Sequence, residues 1–272
     1  MQEVNPEFEK AFKEGIEKQK RREKPEGKIF GKVFDELTLK VIDELVKKGL
    51  FDVLEFVISP GKEAEVCRAV DISGNYRAVK IYKIKTSGFK KMQDYLQGDY
   101  RFKDTGKEKH EIVFNWTKKE FRNLLKMSQA KARVPVPLGF KNNVLVMEFI
   151  GVKGIACKAL KDEKLSWKEL ESVLEQLIEG YARMLFLAGL VHSDLSEYNI
   201  LIKRLDEKIE AVIIDCGQAM PKSHPKAKEF FERDLTNLAN YFKKQGIEVD
   251  EKMIKERLSG WKKKLAVKGK GI

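Results

Sequence analysis

His192-Ser193-Asp194-Leu195-Ser196-Glu197-Tyr198-Asn199 runs straight into the apolar Ile200-Leu201-Ile202, and a little later the apolar Val212-Ile213-Ile214 runs into Asp215-Cys216-Gly217. Each polar cluster therefore sits at the end of a short strand, and a fold that uses them must bring the two strand ends together. An aspartate and an asparagine five positions apart, followed by a second aspartate before a glycine, supply what phosphoryl transfer from Mg-ATP requires. A triphosphate and its metal ions have to be held while one carboxylate meets the incoming hydroxyl, so the protein mainly positions and neutralises. Asp194 takes the part of base or orienter, and Asn199 and Asp215 offer the oxygen ligands that hard Mg2+ prefers. Acidic residues beside strands also serve as turn formers, and either cluster alone reads that way. Both in order, each joined to an apolar run, point to an active site.

The rest of the chain is read from periodicity and punctuation. Residues 1–34 are polar and charge-dense and read as a frayed helix or as disorder. Asp35 to Lys48 carries Leu37, Val41, Leu45 and Val46 at helical spacing with Gly49 as a stop. Short β-like runs follow at Val53–Ile58, Glu65–Val70 and Arg77–Ile84, with Ser73-Gly74-Asn75 as a hairpin turn, so an antiparallel sheet is expected. From Lys85 to about Glu111 no pattern persists, and the segment reads as a mobile loop with scattered aromatics Phe89, Tyr95, Tyr100 and Phe102. A helix is expected from Asn115, as cap, to Lys126. Arg133-Val134-Pro135-Val136-Pro137 must be extended, because each proline disfavours helix at the residue before it. Val144–Ile150 is a further strand. Ser166 and Glu169 stand in capping-box register before a long apolar stripe from Leu170 to Phe186 that Gly189 closes. Lys226–Lys244 is a second amphipathic helix ended by Gly246, and Lys262 to Lys270 reads as a loosely held basic tail. The expected units are an accessory helical segment (1–49), an N-terminal lobe (50–148), a C-terminal lobe (149–250) and a basic tail (251–272).

A phosphate site needs more than its acids. Ala78-Val79-Lys80-Ile81 places a lysine on a strand, where it would reach the α- and β-phosphates, and Glu120 on the following helix is the carboxylate best placed to orient it. Taken singly, Lys80 is a solvated strand residue and Glu120 a helix-surface charge; the order Lys, Glu, Asp, Asn, Asp is what tells. A glycine-rich flap is expected between the first two strands, yet Ser59-Pro60-Gly61-Lys62-Glu63-Ala64 holds one glycine and no G-x-G-x-x-G. Ser59 and backbone N–H groups of such a turn still form an anion nest, with Lys62 adding charge, although Ser-Pro-Gly is equally an ordinary turn. The backbone at Glu148 and Ile150 is where adenine would hydrogen-bond, with Met147 against its ring.

Together these motifs resemble the RIO atypical protein kinases, the Rio one subfamily more than Rio two. The likeness is carried by Ser59 to Ala64, Ala78-Val79-Lys80-Ile81-Tyr82-Lys83, Glu120-Phe121-Arg122-Asn123-Leu124, Val134-Pro135-Val136-Pro137, the His192 to Asn199 loop and Ile214-Asp215-Cys216-Gly217, and runs from about Lys32 to Gly246. It implies an α+β, two-lobe protein-kinase-like fold with a twisted antiparallel sheet plus helix and a mainly helical second lobe. It implies ATP with Mg2+, or Mn2+ in its place, serine autophosphorylation, and a role in maturing the small ribosomal subunit, whose precursor rRNA and proteins would be the partners. Phosphorylation of the metal-binding aspartate, and hence an ATPase-driven switch, is also implied. The compact length suits an archaeal type. Ser193 stands where other kinases carry an arginine that pairs with a phosphorylated loop, Ser196 where a catalytic lysine is common, and few residues follow Asp215. A truncated fold without an activation segment or substrate-binding helices is expected. Thr86, Ser87 and Thr105 are the hydroxyls of the candidate autophosphorylation region.

Composition limits the alternatives. With 42% hydrophobic residues among 272 the chain buries a large core, and no run reaches the length of a membrane span. The start lacks a secretory pattern, which points to the cytoplasm. Cys67, Cys157 and Cys216 lie far apart without metal spacing. A formal charge of +12 attracts nucleic acid and ribonucleoprotein as well as nucleotides, although 35% charged residues also suits a heat-adapted chain. A small-molecule kinase of the aminoglycoside or choline type would share the truncated architecture, but the lysine-rich second lobe does not suit its acidic substrate pocket. A non-catalytic RNA-binding pseudokinase is the third reading, against which the retained catalytic residues speak.

Overall fold

The structure, a computed structural model, describes residues 34–84, 88–102, 108–206 and 208–268. The expectations for residues 1–33, and for Thr86, Ser87 and Thr105, fall outside them. The first helix, α1 (Glu36–Lys47), starts where Asp35 accepts a hydrogen bond from the Thr38 N–H at 2.8 Å. A capping carboxylate satisfies one of the donors that a helix start leaves open. Val41 and Leu45 on its inner face pack with Phe51, Cys67, Val79, Ile81 and Val146. That core lies under a five-stranded antiparallel sheet of β1 (Val53–Pro60), β2 (Ala64–Val70), β3 (Tyr76–Tyr82), β4 (Pro137–Lys141) and β5 (Val144–Glu148), in the order β1-β2-β3-β5-β4.

Between β3 and the sheet's return the chain departs from the expected loop. Phe89–Leu96 forms helix α2 and Tyr100–Phe102 a 3-10 turn, and the next helix, α3 (Lys109–Gln129), begins well before Asn115. Tyr95, Leu96 and Phe102 are buried with Trp116, Met220 and Phe230, so the scattered aromatics are anchors. Tyr95 stacks on Phe230 at 5.4 Å and meets Trp116 edge-on at 6.1 Å. The start of α3 is held by the Glu111 carboxylate, which accepts the Glu108 N–H at 3.2 Å. Glutamate is outside the usual N-cap set, which is why the sequence alone points to Asn115 instead.

The second lobe is built on α4 (Trp167–Arg183). Ser166 and Glu169 bond reciprocally at its start, through Ser166 N–H at 2.7 Å and Glu169 N–H at 3.4 Å. The helix widens into one π turn, Met184–Ala188, and stops at Gly189, whose φ of +71° is the left-handed conformation that a side chain resists. Four short strands, β6 (Gly151–Val152), β7 (Ile155–Ala156), β8 (Lys158–Ala159) and β9 (Leu190–Val191), precede a hairpin of β10 (Ile200–Leu205) and β11 (Lys208–Ile213) that carries the two polar clusters at its open end. Two helices close the lobe, α5 (Ala227–Lys244) and α6 (Glu251–Lys268), so 251–268 is helix instead of a loose tail. Ile254, Leu258 and Leu265 of α6 are buried in the same core as Leu174, Leu177 and Leu238. The intervening lysines dilute that stripe, which hides it from a pattern reading. Behind the cleft Arg133 bonds Glu148 of β5 at 2.8 Å and Glu210 of β11 at 2.9 Å, while its carbonyl accepts the Ile213 N–H at 3.0 Å.

If α6 is part of the core, Leu258→Ala costs about 2–5 kcal/mol of unfolding free energy, the range for a truncated buried leucine. Urea titration of wild type and variant measures it, and a dispensable tail would give no change.

Candidate active site

The centre of the site is an ammonium held between two carboxylates. Lys80, in the middle of β3, is buried, and its Nζ donates to Glu120 Oε1 at 2.9 Å and to Asp215 Oδ1 at 3.0 Å. Glu120 lies on the inner face of α3, where the Tyr82 hydroxyl donates to its other oxygen. Burial works against the charge on Lys80, but Asp215 and then Glu120 outweigh it and keep the proton affinity well above the usual lysine range. Burial, followed by the charge of Glu120, raises the Tyr82 hydroxyl well above the ordinary tyrosine range, so it stays a neutral donor.

The loop carrying Asp194 is fixed from beneath. Asp234, fully buried on α5, accepts the N–H of Ser193 at 2.8 Å, the N–H of Leu195 at 2.9 Å and the Tyr181 hydroxyl at 2.8 Å. Arg233 donates to the Ser193 carbonyl at 2.6 Å and Asn237 to that of Leu195 at 3.1 Å. Ser193 and Asp215 both take positive φ, +72° and +58°. Such conformations cost on the order of 1–3 kcal/mol each and persist only where the surroundings impose them. The Asn199 side chain donates to the Asp194 carbonyl at 2.9 Å, and the Asn199 carbonyl accepts the Ile214 N–H at 2.9 Å, so the two strand ends are stitched together. Gln218 donates to Asp194 Oδ2 at 2.8 Å.

Lys80, Asp194, Asn199 and Asp215 line one cleft of about 710 Å3 between the lobes, together with Ser59, Lys62, Met147, Glu148 and Ile150; Glu120 stands behind Lys80. The flap turns tightly at Gly61, where a Cβ would lie 2.6 Å from the Ala64 carbonyl oxygen, and Lys83 braces it by donating to the Gly61 carbonyl at 3.0 Å. At the opposite wall the Glu148 N–H donates to the Val136 carbonyl at 2.8 Å and the Ile150 carbonyl accepts the Cys157 N–H at 3.0 Å. For a metal, Asn199 and Asp215 offer hard oxygen donors. Among the described residues no cluster of three or more His, Cys, Asp or Glu side chains could cage an ion alone. That donor set fits a cation such as Mg2+, which is usually bound through one or two carboxylates, waters and substrate phosphates.

A family model described as the RIO domain matches residues 65–254. The chain belongs to the RIO family. It is 41% identical over 233 residues to the RIO-type serine/threonine-protein kinase Rio1 of Haloferax volcanii, covering 86% of this chain and 78% of that protein. The protein of the same name from Thermoplasma acidophilum is 40% identical over 186 residues, 68% of this chain and 95% of the relative. Among solved structures, the Rio2 kinase of Chaetomium thermophilum in its ADP/Mg2+-phosphoaspartate complex shares the fold, with a TM-score of 0.58 at 19% identity over 79% of this chain and 64% of that one. This RIO chain is accordingly a kinase-like α+β protein and an ATP-dependent phosphotransferase.

Four polar residues that build the RIO site escape a sequence reading: Lys119, Asn123, Gln218 and Asp234. All are buried. A signal exists in two of the helices. Lys119, Glu120 and Asn123 follow Trp116 on the apolar face of α3, and Asp234 sits three residues after Phe231 on that of α5. A charge inside an apolar register asks for a buried partner. Lys119 is fully buried, and burial pulls its amine down to about 7 with Asp99 opposing.

An unfolded lysine titrates near 10.5, so between pH 7 and 10.5 the unfolded chain holds more protons than the folded one. Stability therefore rises with pH across that window, and the penalty is fully present below it. The thermal midpoint of wild type should climb relative to Lys119→Met between pH 7 and 10; parallel curves would assign the slope to other groups.

Proposed function

We propose that this RIO protein transfers the γ-phosphoryl group of Mg-ATP to serine or threonine hydroxyls, and that the same machinery passes it to water when no hydroxyl is presented. The observation that carries this reading is the convergence of Lys80, Glu120, Asp194, Asn199 and Asp215 on one cleft. Lys80, oriented by Glu120, faces the α- and β-phosphates. Asp194 meets the acceptor hydroxyl, and its geometry is fixed by Gln218 and by the Asp234-supported loop. Asn199 and Asp215 hold Mg2+, or Mn2+ in its place; the bound cation would neutralise charge on the transferring phosphate. The adenine edge addresses the Glu148 carbonyl and the Ile150 N–H, the partners of groups already bonded at that wall, with Met147 against the ring and Ser59 and Lys62 over the phosphates.

Autophosphorylation on Thr86, Ser87 or Thr105, and action on small ribosomal subunit precursors in the cytoplasm, complete the reading. The formal charge of +12 supports a polyanionic partner. The three free cysteines agree with a reducing compartment. No described helix is long and apolar enough to cross a membrane.

Asp194→Ala should keep the fold by circular dichroism while lowering transfer from γ-labelled ATP by about 10²–10⁴-fold, the usual worth of a positioned acid or base, and Asp215→Ala should keep the fold and lose transfer through loss of the metal. Wild-type-like transfer by the Asp194 variant would remove it from the acceptor role.

A further inference from the structure

The segment that follows Asp215 is gripped from α3 by side chains outside the cleft. Lys119 Nζ donates to the carbonyls of Gly217 at 2.7 Å and Ala219 at 2.6 Å. Asn123 Nδ2 donates to the carbonyls of Cys216 and Ala219, each at 2.8 Å. Three of the four carbonyls between residues 216 and 219 are thus bonded to one helix. Asn123 can serve two acceptors with its amide nitrogen only if its oxygen points away, and there Arg101 Nη1 donates to Oδ1 at 2.9 Å. Arg101 is itself held side-on by the fully buried Asp99, through Nε at 2.8 Å and Nη2 at 2.6 Å. Without Arg101 the Asn123 oxygen would be a buried acceptor with no partner, and the amide would be released to turn over.

Arg101 belongs to the 3-10 turn after α2, and α2 itself touches both lobes. The Gln97 carbonyl lies 3.0 Å from His224 Nε2, and a Cβ on Gly88 would meet the Glu63 side chain of the flap at 2.7 Å. Neither Arg101, Lys119 nor Asn123 lines the nucleotide cleft. Their bonds reach it through the backbone that sets the left-handed turn at Asp215.

We propose that Arg101, Lys119 and Asn123 form a clamp that positions Asp215 for its cation, with Arg101 fixing the orientation of the Asn123 amide from the inserted α2 segment. This rests on the reading of Asp215 as a metal-holding residue. Lys119 fulfils the role as ammonium or as amine, since two N–H bonds are needed and an amine has two. The effect is that of residues behind a metal ligand, whose loss typically weakens metal binding 10–100-fold.

The test uses the full chain saturated with ADP and titrated with Mn2+, free Mn2+ being read by electron paramagnetic resonance. Arg101→Met and Asn123→Leu should each weaken Mn2+ binding about 10–100-fold while ADP affinity in chelator stays within about twofold of wild type. Should Asn123→Leu fail to give a cooperative thermal transition, Arg101→Met, at the outer end of the chain of bonds, decides alone. Unchanged Mn2+ affinity, or equal losses of Mn2+ and ADP binding, would overturn the clamp. Asp215→Ala separates the two readings. If it abolishes the Mn2+ site while the clamp variants retain it, the clamp alone falls; if it binds Mn2+ like wild type, the assignment of Asp215 falls and takes the clamp with it.

Discussion

One ammonium organises the site. Lys80 lies between Glu120 of the first lobe and Asp215 of the second, so the lobes are joined through a charge as well as through the chain. In a buried setting a single carboxylate would leave the pair neutral. The second adds net negative charge at the edge of the cleft, where Asp215 is 43% exposed. A cation placed beside it offsets that charge, and a nucleotide alone would add to it. The arrangement is therefore complementary to a metal-bound phosphate more than to a bare one. Removing a partner from such a group leaves an uncompensated charge, which is why buried ion clusters are expensive to disturb.

The strain in the two polar segments is met from opposite directions. Beneath the Asp194 loop, a single carboxylate on α5 takes up two backbone N–H groups and a tyrosine hydroxyl; burial raises its proton affinity, and His192 and those donors counter this. Behind the Asp215 segment, an amine and an amide on α3 take up carbonyls. Donors alone serve the Asp215 segment, whereas the Asp194 loop meets an acceptor in Asp234 and donors in Arg233 and Asn237, so N–H and C=O groups of both turns find partners. Neither support is a loop. Both come from long helices whose other inward-facing side chains are packed in apolar core, which holds them in place.

Much of this was legible before any coordinates. The caps Asp35 and Ser166, the stops Gly49 and Gly189, and the apolar runs beside Asp194 and Asp215 act over a few residues, and local chemistry writes them plainly. Helix α2 was not legible because the partners of Tyr95 and Phe102, notably Met220 and Phe230, lie far along the chain. The start of α3 was hidden by a glutamate acting as cap, and α6 by the lysines between its three buried apolar positions. Lys119, Asn123 and Asp234 interrupt apolar helix faces, which shows that each needs a buried partner, but those partners are mostly backbone, and no pattern of side chains says which carbonyl or N–H they are. The carboxylates of the candidate site could be found because their order in the sequence is the one a phosphate site asks for, whereas their supports obey only the shape of this chain.

Arg133 has a mechanical consequence. Its guanidinium ties the strand leading out of the first lobe to the hairpin of the second, and its own carbonyl is sewn to Ile213, the last residue of β11 before the Asp215 segment. That rear seam opposes sliding of one half past the other and favours a swing about it, as a book moves on its spine. In such a swing the lip formed by the Ser59–Ala64 turn moves against the floor beside Asp215, and the cleft between them opens or narrows.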